Sequence, residues 1–81
     1  MEVKEFAEYL VKSIVKEKDM VSVKQFEDDE EYITIQVLVD SSDMGAIIGK
    51  DGVNANALRT LVQASSYING LKKVKINIDS F

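Results

Sequence analysis

The 81-residue chain reads as an α+β domain in two layers, a three-stranded mixed sheet with three helices on one face. Three observations lead there. Ile33, Ile35, Val37 and Val39 alternate with Tyr32, Thr34, Gln36 and Leu38, the period of two that marks a strand. Residues 2–17 and 53–69 instead repeat their apolar side chains every three to four positions, as helices do. A crossover of about thirty residues separates the clear strand from the last alternating stretch, long enough for the two to lie parallel.

The elements follow in order. Val3, Phe6, Ala7, Leu10, Val11, Ile14 and Val15 form the apolar stripe of a first helix from about residue 2 to 17, with Glu8 and Lys12 an exposed i,i+4 pair. Met20 to Phe26 is a weaker extended stretch with Val21 and Val23 on one face. The acidic run Glu27-Asp28-Asp29-Glu30-Glu31 reads as a solvated turn that joins it to the strand at 32–39 in a hairpin. Asp40-Ser41-Ser42-Asp43 supplies N-cap chemistry for a short helix, Met44 to Ile48. A glycine loop ends that helix and opens the next, whose buried stripe is expected at Ala57, Leu58, Leu61, Val62, Ser65 and Ile68. Asn69-Gly70 stops it, and Val74, Ile76 and Ile78 alternate in a final strand. The order is α-β-β-α-α-β. The second strand should be central, antiparallel to the first and parallel to the last.

Composition narrows the chemistry. The chain has no cysteine and no histidine, which removes disulfides, thiolate metal sites, cysteine nucleophiles and the usual general base. Its 46% hydrophobic content supports one small core without a metal or disulfide staple, and no linker or repeat divides residues 1–81. No cofactor and no enzymatic role are expected. Charges fill the first turn and no apolar run approaches a membrane span, so a soluble, cytoplasmic protein is expected. The net charge of −4 is unevenly spread. Residues 20–40 hold Lys24 against six acids, whereas residues 41–81 hold Lys50, Arg59, Lys72, Lys73 and Lys75 against three.

Gly49-Lys50-Asp51-Gly52 lies in that basic half, between the apolar pair Ile47-Ile48 and a long helix. Glycine at both ends allows positive φ and lets a ligand's backbone approach closely. Lys50 is a cation inside the loop, and the following helix aims its unpaired N–H groups and positive dipole end back at it, so a phosphate suits the site. By itself, the same spacing also suits a plain linker between helices. The spacings of a P-loop and of a dinucleotide-binding turn are both absent.

Taken together, Ile33-Thr34-Ile35-Gln36-Val37, Gly45-Ala46-Ile47-Ile48-Gly49-Lys50-Asp51-Gly52 and Ala57-Leu58-Arg59-Thr60-Leu61-Val62 resemble the core of a KH RNA-binding domain. The helix and strand that precede this core match the type II arrangement, and the likeness over nearly the whole length is to the small bacterial KhpA-type proteins. The resemblance implies a groove for about four nucleotides of single-stranded RNA, with Gly49, Lys50, Asp51 and Gly52 clamping the backbone. Ala46 and one of Ile47 and Ile48 would form an apolar wall for bases. Arg59 would either contact phosphate or be a solvated helix residue.

This chain departs from the family pattern in two places. Asp51 puts a carboxylate beside the loop's lysine, and Val53-Asn54 stands where such sequences often carry basic or hydroxyl side chains, so weak RNA binding with a shallow salt dependence is expected. No aromatic residue lies near the loop, and Tyr32 and Tyr67 read as core or surface packing. The family likeness further implies a larger KhpB-like partner carrying its own KH domain, a role in post-transcriptional regulation or RNA chaperoning, and through these a link to cell shape and envelope homeostasis. Joining weak sites raises avidity, and the same logic extends to a homodimer. The competing reading is a KH-shaped protein-interaction module with little RNA binding, which Asp51 and the acidic run favour.

Overall fold

The computed structural model describes residues 2–27, 31–68, 70 and 73–81. The centre of the acidic turn at Asp28 to Glu30, the helix stop at Asn69 and the cation Lys72 lie outside these residues. The elements are α1 (Val3–Ile14), β1 (Ser22–Glu27), β2 (Tyr32–Val39), α2 (Met44–Ile48), α3 (Val53–Ile68) and β3 (Lys73–Ser80), with single 3-10 turns at Lys18–Met20, Ser41–Asp43 and Lys50–Gly52.

The sheet has the order β1-β2-β3. β1 runs antiparallel to β2, with Val23 opposite Val37, and β3 runs parallel to it, with Ile35 opposite Ile76. The mixed sheet with a central second strand is therefore as the sequence predicts. Alternation then sorts the side chains. Ile33, Ile35, Val37 and Val39 of β2 are buried beneath the helices together with Val23 and Ile76. Val3, Ala7, Val11 and Val15 from the α1 segment, Ile47 from α2, and Leu58 and Val62 from α3 complete this aliphatic core. Burying each large aliphatic side chain contributes roughly 1.5–3 kcal/mol.

α1 ends earlier than the expected residue 17. Val15 is already extended, at φ −82° and ψ 155°, although its side chain still enters the core. The cause is Asp43, whose buried carboxylate accepts hydrogen bonds from Lys16 N–H at 3.1 Å and Glu17 N–H at 3.0 Å. Those donors are thereby taken out of the helical ladder. Met20 then closes a turn by donating to the Glu17 carbonyl, so β1 starts at Ser22 rather than at Met20.

α3 is also rotated relative to the expected stripe. Its buried residues are Ala55, Leu58, Val62 and Ser66, whereas Ala57, Leu61 and Ile68 are exposed, Ile68 at 85%. Small side chains at 55 and 66 let the helix approach its neighbours closely, a criterion that ranking by hydrophobicity undervalues.

Candidate nucleic-acid interface

The segment leading to the loop is fixed by its own capping. The Asp40 carboxylate accepts from Ser42 N–H at 3.0 Å and from the Ser42 hydroxyl. The hydroxyl first, then the backbone N–H, hold the Asp40 carboxyl below its ordinary value of 3.8. α2 follows at once and closes with Gly49 N–H donating to the Gly45 carbonyl at 2.9 Å.

Gly49 has φ 73° and ψ 174°, Asp51 φ 56° and ψ 24°, and Gly52 φ 78°. Three of the four loop residues thus occupy positive φ. Aspartate is among the few side chains that tolerate the left-handed region, which gives Asp51 a backbone role besides its charge. The two glycines serve different ends. A Cβ added at Gly49 would lie 2.8 to 3.0 Å from Asn54 side-chain atoms, while one at Gly52 would meet only Asn56 Nδ2 at 3.9 Å. Asn54 in turn donates through Nδ2 to the Ala46 carbonyl at 2.8 Å, tying the start of α3 back to α2. Gly49 therefore makes room for an internal strut, and Gly52 faces open space.

The site residues expected from sequence are largely brought together. Lys50, Asp51, Ala46 and Ile48 are all exposed around the loop, and Ile48, at 40%, is the member of the isoleucine pair that can form an apolar wall. Ile47, at 1%, belongs to the core instead and is withdrawn from the interface. Adjacent helical residues point about 100° apart, so the turn that sends Ile47 into the core carries Ile48 out of it. Arg59 is exposed one face further along α3, with Nη1 donating to Asn56 Oδ1 at 3.3 Å.

From Arg59 the same face continues into an open groove of about 490 Å³ lined by Arg59, Thr60, Gln63, Ala64, Tyr67 and Val74. Sequence reasoning passed over Gln63 and Thr60 and assigned Tyr67 to packing. Gln63 stands four residues after Arg59, three after Thr60 and four before Tyr67, and this spacing was the signal that placed them on one side of the helix. The basic half of the chain is divided by the fold. Lys73 and Lys75 alternate with the core-facing Val74 and Ile76, which puts them on the sheet face away from the helices, where Lys75 Nζ lies 4.4 Å from the Tyr32 ring centroid. Lys50 and Arg59 are the described cations on the loop side. Among the described residues no group of three His, Cys, Asp or Glu side chains could hold a metal ion, and no helix is long and apolar enough to cross a membrane.

A mixed β1-β2-β3 sheet under three helices, with a Gly-x-x-Gly turn joining the second and third, defines a type II KH domain. The family model for the KhpA/KhpB KH domain matches residues 4–78, and the chain belongs to that family. It is 40% identical over 75 residues to RNA-binding protein KhpA of Clostridium perfringens, covering 93% of this chain and 97% of that one. It is 36% identical over 70 residues to RNA-binding protein KhpA of Streptococcus pneumoniae serotype 4, covering 86% and 85%. Among solved structures, an Aquifex aeolicus Era variant bound to GDP.AlF4- superposes with a TM-score of 0.77 at 16% identity, over 98% of this chain but 30% of that one. Era in complex with MgGDPNP and a 16S ribosomal RNA segment gives 0.71 at 18% identity, over 96% and 29%. These two likenesses concern the fold.

Proposed function

We propose that this protein binds single-stranded RNA weakly, gripping the sugar-phosphate backbone at Gly49, Lys50, Asp51 and Gly52 and resting bases on Ala46 and Ile48. The observation that carries this reading is the loop itself: positive φ at three of its four residues, an exposed lysine, and a 16-residue helix that starts directly after it and turns its positive dipole end toward it. Membership of a family whose curated relatives are called RNA-binding proteins supports it. Arg59, exposed on the same side, supplies a second phosphate contact. The reading extends to a cytoplasmic RNA chaperone or post-transcriptional regulator that works with a KhpB-like KH protein and so bears on cell shape, and this extension rests on family likeness.

The exposed side of α3 supports self-association as well. Val53, Ala57, Leu61, Ala64 and Ile68 form a solvent-facing stripe, and the whole helix carries one charge, Arg59. The stripe is nearly symmetric about Leu61, so two antiparallel copies set Val53 of one against Ile68 of the other and Ala57 against Ala64, with the two Leu61 side chains meeting where the helices cross, as an isologous contact requires.

The test is an NMR titration with a short single-stranded RNA, in the parent and in Lys50→Asp. Shifts in residues 46–59 are expected in the parent and should vanish in the variant while its free spectrum stays folded. Equal binding by both would make the loop a connector, and the protein-interaction reading would replace this one.

A further inference from the structure

The sheet face turned away from the helices takes every second residue of each strand. Register sets these residues in rows: Lys24, Gln36 and Asn77 lie side by side, then Phe26, Thr34 and Lys75, then Tyr32 and Lys73. Ser22, Leu38 and Asp79 form the row at the other end. No described helix covers this face, since α1, α2 and α3 all pack on the side of Ile33, Ile35, Val37 and Val39. In a chain of net charge −4, the face holds Lys24, Lys73 and Lys75 against Asp79, whose carboxylate accepts from Ser80 N–H at 2.8 Å. Glu27 falls on the opposite parity of β1 and, with Glu31, bounds the face at its hairpin end.

The chemistry of the face indicates what covers it. Phe26, a large apolar ring, is 46% exposed on β1, and Lys75 is drawn over the Tyr32 ring with Nζ 4.4 Å from its centroid. Lys73 and Lys75 stand two residues apart on β3, about 7 Å, a separation close to that of successive phosphates along a single strand. From β3 to Phe26 is two strand spacings, about 10 Å, which one nucleotide covers from its phosphate to its base. Thr34, Gln36 and Asn77, between the edges, offer hydroxyl and amide groups to base edges. An acidic peptide would match the lysines and leave the exposed ring unused.

We propose that the open face of the sheet is a second contact surface for single-stranded RNA, in which Lys24, Lys73 and Lys75 meet phosphates and a base stacks on Phe26. It lies across the sheet from the helix layer that carries the glycine loop, so a short strand occupies either surface and a longer one reaches round to engage both. The choice of RNA as occupant rests on the RNA-binding reading above, whereas the surface itself is independent of the loop. Two weak sites on one strand raise affinity through effective concentration.

Oligo-U of six nucleotides, titrated into nitrogen-15-labelled protein, tests it in the parent, in a Lys24→Thr, Lys73→Thr, Lys75→Thr triple variant and in Phe26→Thr. Threonine suits exposed strand positions. In the parent the hexamer should shift two sets of resonances, residues 46–59 at the loop and residues 24–26, 34–36 and 73–77 on the sheet. The triple variant should lose the sheet set and keep the loop set, and Phe26→Thr should weaken sheet-face binding at least about fivefold. With oligo-U of sixteen nucleotides, five cations in contact should make affinity fall about 130-fold between 50 and 200 mM salt, and the triple variant should return that loss to about sevenfold. Loop shifts with unmoved sheet resonances would overturn the second surface and leave the loop reading intact. Sheet shifts alone would uphold it and overturn the loop reading, while no shifts at all would overturn both. Unchanged sheet-face affinity in Phe26→Thr, or equally tight binding of oligo-glutamate to the same residues, would assign the face to an acidic protein instead. The parent's own resonances are decisive even if the triple variant misfolds.

Discussion

An alanine methyl group at Gly49 would collide with the Asn54 strut and would also occupy a φ that side chains avoid. Gly49→Ala should therefore cost about 1–3 kcal/mol in urea unfolding. Trimming the strut in a Gly49→Ala, Asn54→Ala double variant should remove the collision, so the two losses should sum to more than the double variant shows. Gly52→Ala meets no such neighbour and should cost only the backbone penalty, about 1–2 kcal/mol. The sequence displays both glycines identically. Only the packing around each distinguishes Gly49, which makes room for the Asn54 side chain, from Gly52, which has no close neighbour to accommodate. Asp51 is similar: as a letter it is an unwanted charge, and as a left-handed residue it has a backbone reason to be there. Asp40 gives a pH test. Its carboxyl is lowered in the folded state, so its contribution is full above the ordinary value of 3.8 and is lost as pH falls through the lowered one. Asp40→Ala should lower Tm at pH 7, and the gap from the parent should close under strong acid.

Individual elements differ in how legible they are, and the reason is how many independent signals bound them. α2 could be read to the residue because the turn Ser41–Asp43, capped by Asp40, runs directly into it and Gly49 ends it. β2 could be read because one buried face imposes strict alternation. The end of α1 could not, since it is set by Asp43 acting across 26 and 27 residues of chain. α3 carries two apolar stripes, and hydrophobicity merged them: Leu58 and Val62 are buried as expected, whereas Ala57, Leu61 and Ile68 belong to the exposed one. Leu58→Ala, on the buried stripe, should destabilise by about 2–5 kcal/mol. Leu61→Asp, on a side chain 47% exposed, should leave the fold intact and abolish self-association in sedimentation equilibrium. A parent that sediments as a monomer at high concentration would remove the proposed α3 contact.

At the scale of the whole molecule, charge separates into regions that total composition hides. Glu27 ends β1 and Glu31 precedes β2, Lys50 and Arg59 border the loop, and Lys73 and Lys75 lie on the far face of the sheet. With two cations neutralising phosphate, single-strand affinity should fall only about sevenfold between 50 and 200 mM salt. A much steeper slope would bring the sheet-face lysines into the interface. The basic half read from sequence was correct in sum and wrong in implying one surface, because a strand's alternation sends neighbours to opposite faces.

The parallel pairing of β2 with β3, from Tyr32 with Lys73 to Val39 with Ser80, has a consequence for how the chain reaches this state. Every rung of that ladder joins residues about 40 positions apart, whereas the β1–β2 hairpin closes over a short turn. The hairpin can form within about 1–10 μs, but β3 has no place to dock until the intervening helices are in order. During synthesis, β3 emerges after the other strands and the helices described above. Until it does, one side of the central strand exposes unpaired N–H and C=O groups to any other extended chain nearby.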